Sequence, residues 1–358
     1  MPFSPRRFLT RLVLCATLAA TAGCASLGYY GQAVRGQLEI LSARRPIPRV
    51  LEDPGVPAET KRRLERVAAM REFARTELGL DQGGSFRTYA DLHRDYVVWN
   101  VFAAPEFSLA PLESCFPVVG CLGYRGFFRR EHAEAWAATL RAAGNDVYVG
   151  GVAAYSTLGW FDDPVLNTWL GYDPPRLAGI VFHELAHGLV YAADDSEFNE
   201  SFATAVAQIG YARWQAAQGM QDDGAAAQLQ AREDGLIALL LGYRARFAAL
   251  YASGEPPAAL RAGKQRLFAA LANDYAALKR GWNGDTRYDA WMSRDLNNAK
   301  LASVVAYHAL VPAFRALHAR CGAELPRFYA RVRALAALPR ETRAAALRDA
   351  AAGDCAAR

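Results

Sequence analysis

Apolar and polar positions along the chain predict a mixed first half and a helical second half. The segment 58–78 carries apolar side chains at helical spacing and predicts an amphipathic helix. Segment 95–103 is rich in β-branched and aromatic side chains, and segment 146–154 is a short, mostly apolar stretch. Both predict strands. Between them, 131–143 predicts another helix. The first half therefore combines helices with a few strands.

Beyond Glu200 the pattern predicts helix almost to the end of the chain. Breaks that contain glycine are expected at 219–223, 254–257 and 281–285. The late stretch 296–320 is predicted to be one helix with a kink at Pro312. These elements together predict an α+β protein that is predominantly helical and has a small sheet.

One predicted helix is apolar along most of its length. Asp173 is a good N-cap and Pro174 suits the first helical position, so the helix is expected over 174–192. The apolar segments 180–182 and 189–191 flank its centre and indicate that it is largely buried. Polar residues at that centre consequently need partners.

The centre of this helix reads His183-Glu184-Leu185-Ala186-His187. Residues four apart share a helix face, so both imidazoles can reach one metal ion. In an H-E-x-x-H arrangement of this kind, zinc is the expected cofactor and the glutamate acts as a general base toward water. The alternative, a surface helix with two unrelated histidines, is disfavoured by the apolar flanks.

A third ligand follows from helix geometry. The first helix is expected to continue for about five residues after His187. A second helix is predicted to open at 194–196, about four residues before Glu200. If the two helices are antiparallel, the rise after His187 and the return to Glu200 nearly cancel. We therefore expect Glu200 to complete the metal site and leave the fourth position open. Nearby acids are expected in the turn or as helix caps instead: Asp194, Asp195 and Glu197.

Two further residues are candidates for catalysis. Tyr307 or His308 could donate a hydrogen bond to the oxyanion of a tetrahedral intermediate. The alternative is a core tyrosine, because apolar residues surround this pair at helical spacing: Val304, Val311 and Phe314. The remaining histidines have no ligand-like spacing and are expected to be structural or exposed: His93, His132 and His318.

The H-E-x-x-H segment followed by Asn199-Glu200 resembles the gluzincin peptidases. Residues 198–203 are similar to the Asn-Glu-Gly-Phe-Ala stretch of zinc aminopeptidases. The chain departs from those enzymes in its spacing, because their glutamate lies farther downstream. It also has Thr204 where some gluzincins place an aspartate behind a histidine ligand.

The chain resembles a family of bacterial lipoproteins described as aminopeptidases more closely. The matching stretches are 29–34, 96–105, 154–169, the His183 helix and 296–299. This resemblance implies a gluzincin-like metallopeptidase core, with a small sheet beside the motif helix, that hydrolyses peptides. It also implies that strand 146–154 is a sheet edge along which substrate pairs; a strand with a glycine bulge at Gly150-Gly151 is the alternative.

Three functions remain open from the sequence: an aminopeptidase, a zinc endopeptidase, and an envelope lipoprotein that binds metal without catalysis. An aminopeptidase needs an anion for the free amine of its substrate. The candidates for that anion are Glu113, Asp162 and Asp163.

The N-terminal segment has the layout of a secretory signal, with Arg6, Arg7 and Arg11 ahead of the apolar run 12–20. Cys24 follows Thr-Ala-Gly, as in a bacterial lipobox, so a lipid on Cys24 is expected to anchor the chain to a membrane. The expected divisions are a signal peptide (1–23), a lipid anchor and tether (24–50) and a metallopeptidase domain (51–358). We expect the bacterial envelope, at the outer membrane facing the periplasm; a soluble secreted protein is the alternative.

The composition is that of a globular protein, with 52% hydrophobic and 22% charged residues and a net charge of +5. No basic run with interleaved aromatic residues is present, which argues against nucleic-acid binding. An oxidising compartment favours disulfides for the four cysteines after Cys24, and we expect the pairs Cys115–Cys121 and Cys321–Cys355. A zinc-thiolate site is disfavoured because their spacing fits no familiar ligand set.

Overall fold

A computed structural model describes residues 28–80, 83–116, 120–154, 162–193, 195–219, 224–353 and 355, without the side chains of 225–226 and 305–307. The predicted signal peptide and Cys24 lie outside these residues. The fold is α+β and predominantly helical, as the apolar pattern predicts. Among the described residues, no helix has both the length and the apolar character that a membrane span requires.

The first half of the chain contains all of the described strands. Its helices are α1 (28–43), α2 (Ile47–Glu52), α3 (Ala58–Glu77), α4 (Arg130–Ala142) and α5 (Asn167–Leu170). Its strands are β1 (Arg45–Pro46), β2 (Thr88–Ala90), β3 (Val98–Pro105), β4 (Ser114–Phe116), β5 (Gly120–Leu122), β6 (Arg125–Phe127), β7 (Asn145–Val152) and β8 (Val165–Leu166). Helices α3 and α4 and strands β3 and β7 confirm the four predicted elements.

The second half is helical. Its helices are α6 (Pro174–His187), α7 (Ser196–Ala217), α8 (Ala225–Tyr251), α9 (Pro257–Lys279), α10 (Asp289–Met292), α11 (Asn298–His308), α12 (Val311–Arg320), α13 (Leu325–Ala336) and α14 (Arg340–Ala352). The chain breaks between α7 and α8 and between α8 and α9, as the glycines predict. The third predicted break coincides with the 3-10 turn Arg280–Trp282 and the residues that follow it.

The main sheet is antiparallel, with the order β6-β3-β7, so β7 is an edge strand among the described residues. Its pairing with β3 is continuous from Asn145 to Val152, which rules out the glycine bulge considered for this strand. Gly151 has a packing reason instead, because a Cβ there would lie 2.5 Å from the Tyr96 ring. The edge prediction is confirmed, and the glycine leaves room for an aromatic ring.

Helix α6 ends earlier than predicted. Asp173 caps it by accepting a hydrogen bond from the Arg176 amide, but the helix stops at His187 rather than near 192. Gly188 follows at once, and glycine disfavours helix by about 1 kcal/mol relative to alanine. The connection to α7 is therefore longer than the sequence suggests.

The stretch 296–320 is not one kinked helix. It forms α11 and α12 with a turn between them, and Pro312 lies in the first turn of α12, where its missing N–H costs nothing. The amide of Leu310 in this turn donates to Ser201 Oγ of α7. The break therefore joins this region to the helix that carries Glu200.

The largest core forms where α6 and α7 pack on α3 and α12. Its aromatic centre consists of Phe182, Phe198, Phe202, Phe314 and Trp169, all at most 1% exposed. A second cluster forms between α8 and α9, around Phe247 and Leu271. The two helices that carry the H-E-x-x-H segment and Glu200 thus belong to the most deeply buried part of the fold.

The structure describes residues 28–50 of the expected tether. They form α1, β1 and the start of α2, and they pack against the domain. Ile40, Ile47 and Val50 are at most 5% exposed and belong to the main core. Both expected disulfides are formed, Cys115–Cys121 within the β4–β5 hairpin and Cys321–Cys355 between the end of α12 and the C-terminal tail.

A buried ion pair holds the start of α7. Asp195 caps the helix through the Phe198 amide at 3.0 Å and also accepts from Arg343 of α14 at 2.7 Å. Asp195→Ala removes the cap and leaves a buried guanidinium uncompensated, so we expect unfolding free energy to fall by about 3–5 kcal/mol. Denaturant unfolding measures this loss.

The matched control is Asp173→Ala, which removes only the cap of α6 and should cost about 1 kcal/mol. Asp195→Asn retains a capping side chain and should show the charge contribution alone. Equal losses for the two alanine variants would contradict the assigned role of the ion pair.

Candidate metal centre

Helix α6 has two faces of different character. One face is buried in the core and consists of Leu177, Ala178, Val181, Phe182, Leu185 and Ala186. The other face lines a cleft and carries Ile180, His183, Glu184 and His187. The four-residue helical repeat therefore keeps the apolar anchor and the polar site apart on one element.

Three potential ligand atoms converge on this face. His183 Nε2 lies 3.1 Å from Glu200 Oε2, and His187 Nε2 lies 3.6 Å from the same oxygen. The two imidazole Nε2 atoms are 3.2 Å apart. In the described part of the chain, these three residues are the group of histidine, cysteine and acidic side chains that could hold a metal ion.

These separations fit a metal ion. With metal–ligand bonds of about 2.0–2.1 Å, tetrahedral ligands lie about 3.3–3.4 Å from one another. The observed distances of 3.1, 3.2 and 3.6 Å bracket that value. Two nitrogens and one carboxylate oxygen are also a donor set that zinc accepts. His183, His187 and Glu200 thus form a site that is compatible with a divalent metal.

The Asn199 side chain holds the connection between α6 and α7 and thereby helps to position Glu200 near the histidines. Its side-chain oxygen accepts from the Ala192 amide, and its amide nitrogen donates to the Ala192 carbonyl, both at 2.8 Å. The side chain replaces helical hydrogen bonds in the connection and fixes its path. Sequence reasoning noticed this asparagine only as part of a resemblance and assigned it no role.

A hydroxyl lies behind one histidine. Thr204 Oγ1 is 3.5 Å from His183 Nδ1, the outer limit of a hydrogen bond. The Nδ1 atom of His187 is buried and has no hydrogen-bond partner among the described residues.

The charges of the cluster depend on one another. Burial alone would raise the pKa of Glu200, but the imidazoles of His187 and His183 outweigh it and lower the pKa. Burial alone would lower the pKa of His187, but the Glu200 carboxylate raises it. Burial raises the pKa of Glu184, and the two histidines oppose that shift.

His308 lines the same cleft as the cluster. Burial, with a smaller contribution from His183, lowers its pKa to about 4. His308 is therefore neutral at physiological pH and retains one N–H donor. Tyr307 belongs to α11, but its side chain lies outside the described residues.

The cleft is large, with a volume of about 1970 Å³, roughly twice the upper end of the usual range for small-molecule sites. Strand β7 contributes Gly150, Gly151 and Val152 to its wall. Residues of α1 and of the β4–β5 hairpin also line it, as do residues of α8 together with Arg287 and Tyr288.

The acids predicted to receive a substrate amine do not line the cleft. Glu113 is paired with Arg340 at 3.4 Å, Asp162 accepts from the Gly84 amide, and Asp163 is buried near Ser85. All three belong to the first half of the chain, and sequence spacing did not reveal that α8 returns to the cleft.

The carboxylate that sequence reasoning missed is Glu233 of α8. It lines the cleft, and burial, together with neighbouring Asp234, raises its pKa. In the sequence it only borders the apolar run 236–241 and gives no signal of a site.

The other acids and histidines agree with their expected minor roles. Asp195 is a helix cap, and Asp194 lies outside the described residues. Glu197 lies in the first turn of α7. His93 and His132 are exposed, and His318 packs against Phe328.

The cluster on the cleft wall could bind a metal ion and is compatible with a metallopeptidase. Residues 28–347 match the model of a protein family described as "Putative aminopeptidase", and the chain belongs to this family. The family supports a peptidase activity in general. No curated protein and no solved structure matches the chain.

Replacing Asn199 by alanine tests how the cluster is assembled. The Ala192 amide and carbonyl lose their partner, so α7 should shift and carry Glu200 away from the histidines. We expect metal affinity to fall about 10- to 100-fold although no ligand is removed. Metal titration monitored by competition with a chromophoric chelator measures this.

The control is Thr204→Val, which keeps the connection intact and removes only the Thr204 hydroxyl, 3.5 Å from His183 Nδ1. Its effect on affinity should be smaller. Unchanged affinity in Asn199→Ala would show that the core packing of α7 alone positions Glu200.

Proposed function

We propose that this protein is a zinc-dependent peptidase with a gluzincin-like core and that it acts as an aminopeptidase. The observation that carries the proposal is the convergence of His183, His187 and Glu200 on a cleft wall, with Glu184 beside them. Family membership supports the peptidase class.

In this proposal His183, His187 and Glu200 hold the metal. When bound, zinc supplies Lewis-acid chemistry that polarises a peptide carbonyl and makes water more acidic. Glu184 lines the cleft and accepts a proton from the attacking water. It then passes that proton to the leaving amine, so it acts first as a base and then as an acid.

His308 is the candidate donor to the oxyanion. It lines the cleft and is neutral, so its N–H can hydrogen-bond to negative charge that develops on the carbonyl oxygen. The corresponding role of Tyr307 stays a prediction from the sequence.

The edge strand supports a peptide as the substrate. Asn297 donates to the Val147 carbonyl on the outer edge of β7, so an extended peptide can add only to the part of this edge that follows Val147. The main-chain hydrogen bonds that it would form there do not depend on its side chains. The volume of the cleft, about 1970 Å³, is large enough for several residues of a peptide. That volume also suits an endopeptidase, which is the alternative activity.

Glu233 is the proposed receptor for the substrate amine. It lines the cleft, and no hydrogen bond or ion pair to its carboxylate is found among the described residues. A cationic amine would stabilise the buried carboxylate, whose pKa is raised in the free protein.

A non-catalytic metal-binding protein is less well supported. The cluster consists of three ligands in the described part of the chain, and all three line an open cleft. A structural zinc site is normally closed by four protein ligands.

We further propose that the protein is anchored in the bacterial envelope through a lipid on Cys24 and acts in the periplasm, at the outer membrane. The sequence of residues 6–24 supports this location. Two disulfides, both expected for an oxidising compartment, agree with it.

Glu184→Gln tests the mechanism. The amide keeps the shape of the side chain but cannot accept a proton, so kcat on a peptide substrate should fall by about 10²–10⁴-fold. Bound zinc, measured by elemental analysis, should stay near one per chain. His183→Ala is the comparison, and it should lose both metal and activity. Near-normal turnover by Glu184→Gln would refute the proposed base.

Glu233→Gln separates the two peptidase activities. Removing the carboxylate should raise KM for fluorogenic amino-acid amides about 10- to 100-fold, because the amine loses its charged partner. Hydrolysis of N-blocked internal peptides should be unaffected. Glu113→Gln, which alters an exposed acid outside the cleft, is the matched control. Cleavage of blocked peptides only, by the unaltered protein, would favour the endopeptidase.

A further inference from the structure

Helix α1 is held to the domain by one face. Gln32 Oε1 accepts from the Phe128 amide at 3.0 Å, and Ile40 is 2% exposed. Gly36 lies under the Phe128 ring so closely that a Cβ would be 2.0 Å from Cγ. Tyr29 stacks on Phe116. These contacts fix the rotation of the helix about its axis.

Charged contacts fix α1 further. Glu39 pairs with Arg94 of the loop before β3 at 3.1 Å and with Arg129 before α4 at 3.0 Å. The face of α1 that remains in solvent is therefore determined by packing on the domain.

That solvent-facing side is apolar. Tyr30, Val34 and Leu38 follow one another at four-residue spacing and are 43%, 60% and 58% exposed. They account for three of the six large hydrophobic side chains that are exposed in the described part of the chain. At 100° per residue, this stripe is centred roughly 150° from the packed face. A helix with two apolar faces needs a second apolar environment.

We propose that the stripe formed by Tyr30, Val34 and Leu38 binds the surface of a phospholipid bilayer. Interfacial helices lie in the plane of a membrane with an apolar face toward the acyl chains. The stripe runs over nine residues, from Tyr30 to Leu38, which is about 12 Å and enough to lay the helix along a membrane surface. Arg35 is exposed beside it and matches anionic headgroups.

The position of the stripe close to Cys24 in the sequence favours a bilayer as its partner. Tyr30 is six positions after Cys24 in the sequence, so the stripe begins within about 20 Å of the proposed lipid. This step rests on the proposed envelope location. A lipid at Cys24 and the stripe would then contact the same bilayer.

The orientation has a consequence for the cleft. Tyr29, Tyr30, Ala33 and Gln37 of the same helix line the cleft, so Tyr30 of the stripe also borders it. Contact of α1 with the bilayer would place this part of the cleft next to the membrane surface. The substrates that reach it first would be peptides at or close to the bilayer.

The test uses the chain without residues 1–24, which retains every described residue and carries no lipid. Binding to vesicles of phosphatidylethanolamine and phosphatidylglycerol is measured by co-sedimentation. We expect the unaltered chain to bind and Val34→Glu/Leu38→Glu to bind at least about tenfold more weakly. Leu338→Glu, which alters another exposed leucine, should leave vesicle binding unchanged.

Absence of vesicle binding by the unaltered chain, or equal binding by the double variant, would overturn the proposal. So would a dimer that Val34→Glu/Leu38→Glu dissociates in analytical ultracentrifugation, because a second copy would then cover the stripe. Neither Val34 nor Leu38 lines the cleft, so the double variant should keep its peptidase activity. Vesicle binding and peptide hydrolysis therefore succeed or fail independently.

Discussion

The candidate site depends on the fixed alignment of α6 and α7. Two imidazoles and a carboxylate come within 3.1–3.6 Å of one another because these helices pack closely and the Asn199 side chain pins the connection at Ala192. Asp195 fixes the start of α7 by capping it and by pairing with buried Arg343. A metal ion would join groups that the fold has already brought together, so little reorganisation is required for binding.

Three elements that line the cleft around this cluster differ in character. Strand β7 borders the cleft, and α8 returns to it with Glu233. Helix α1, whose outer face is apolar, also lines it. A peptidase that works next to a membrane would use all three features: an edge for the main chain, a carboxylate for the amine, and a surface for the bilayer.

Local patterns predicted much of the fold, because helical spacing and β-branched runs report on nearest neighbours. They predicted α3, α4, β3, β7 and the N-cap at Asp173. They were wrong about the end of α6, where Gly188 directly follows His187 and the Ala192 amide donates to Asn199 instead of continuing the helix. They were also wrong about the helix at Pro312, where the Leu310 amide donates to Ser201, 109 residues earlier in the chain. Propensity contains no information about a partner so distant in sequence.

By itself, the sequence determined the pair of candidate metal ligands: a four-residue repeat puts His183 and His187 on one face of any helix that contains them. The spacing to Glu200 made a third ligand plausible from helical rise alone. Only the tertiary structure decided which other acids share the cleft, since Glu233 is 33 residues beyond Glu200 and Glu113 points to Arg340 instead. The exposed stripe of α1 was likewise decided by packing, because a helix with apolar residues on two sides can bury either one.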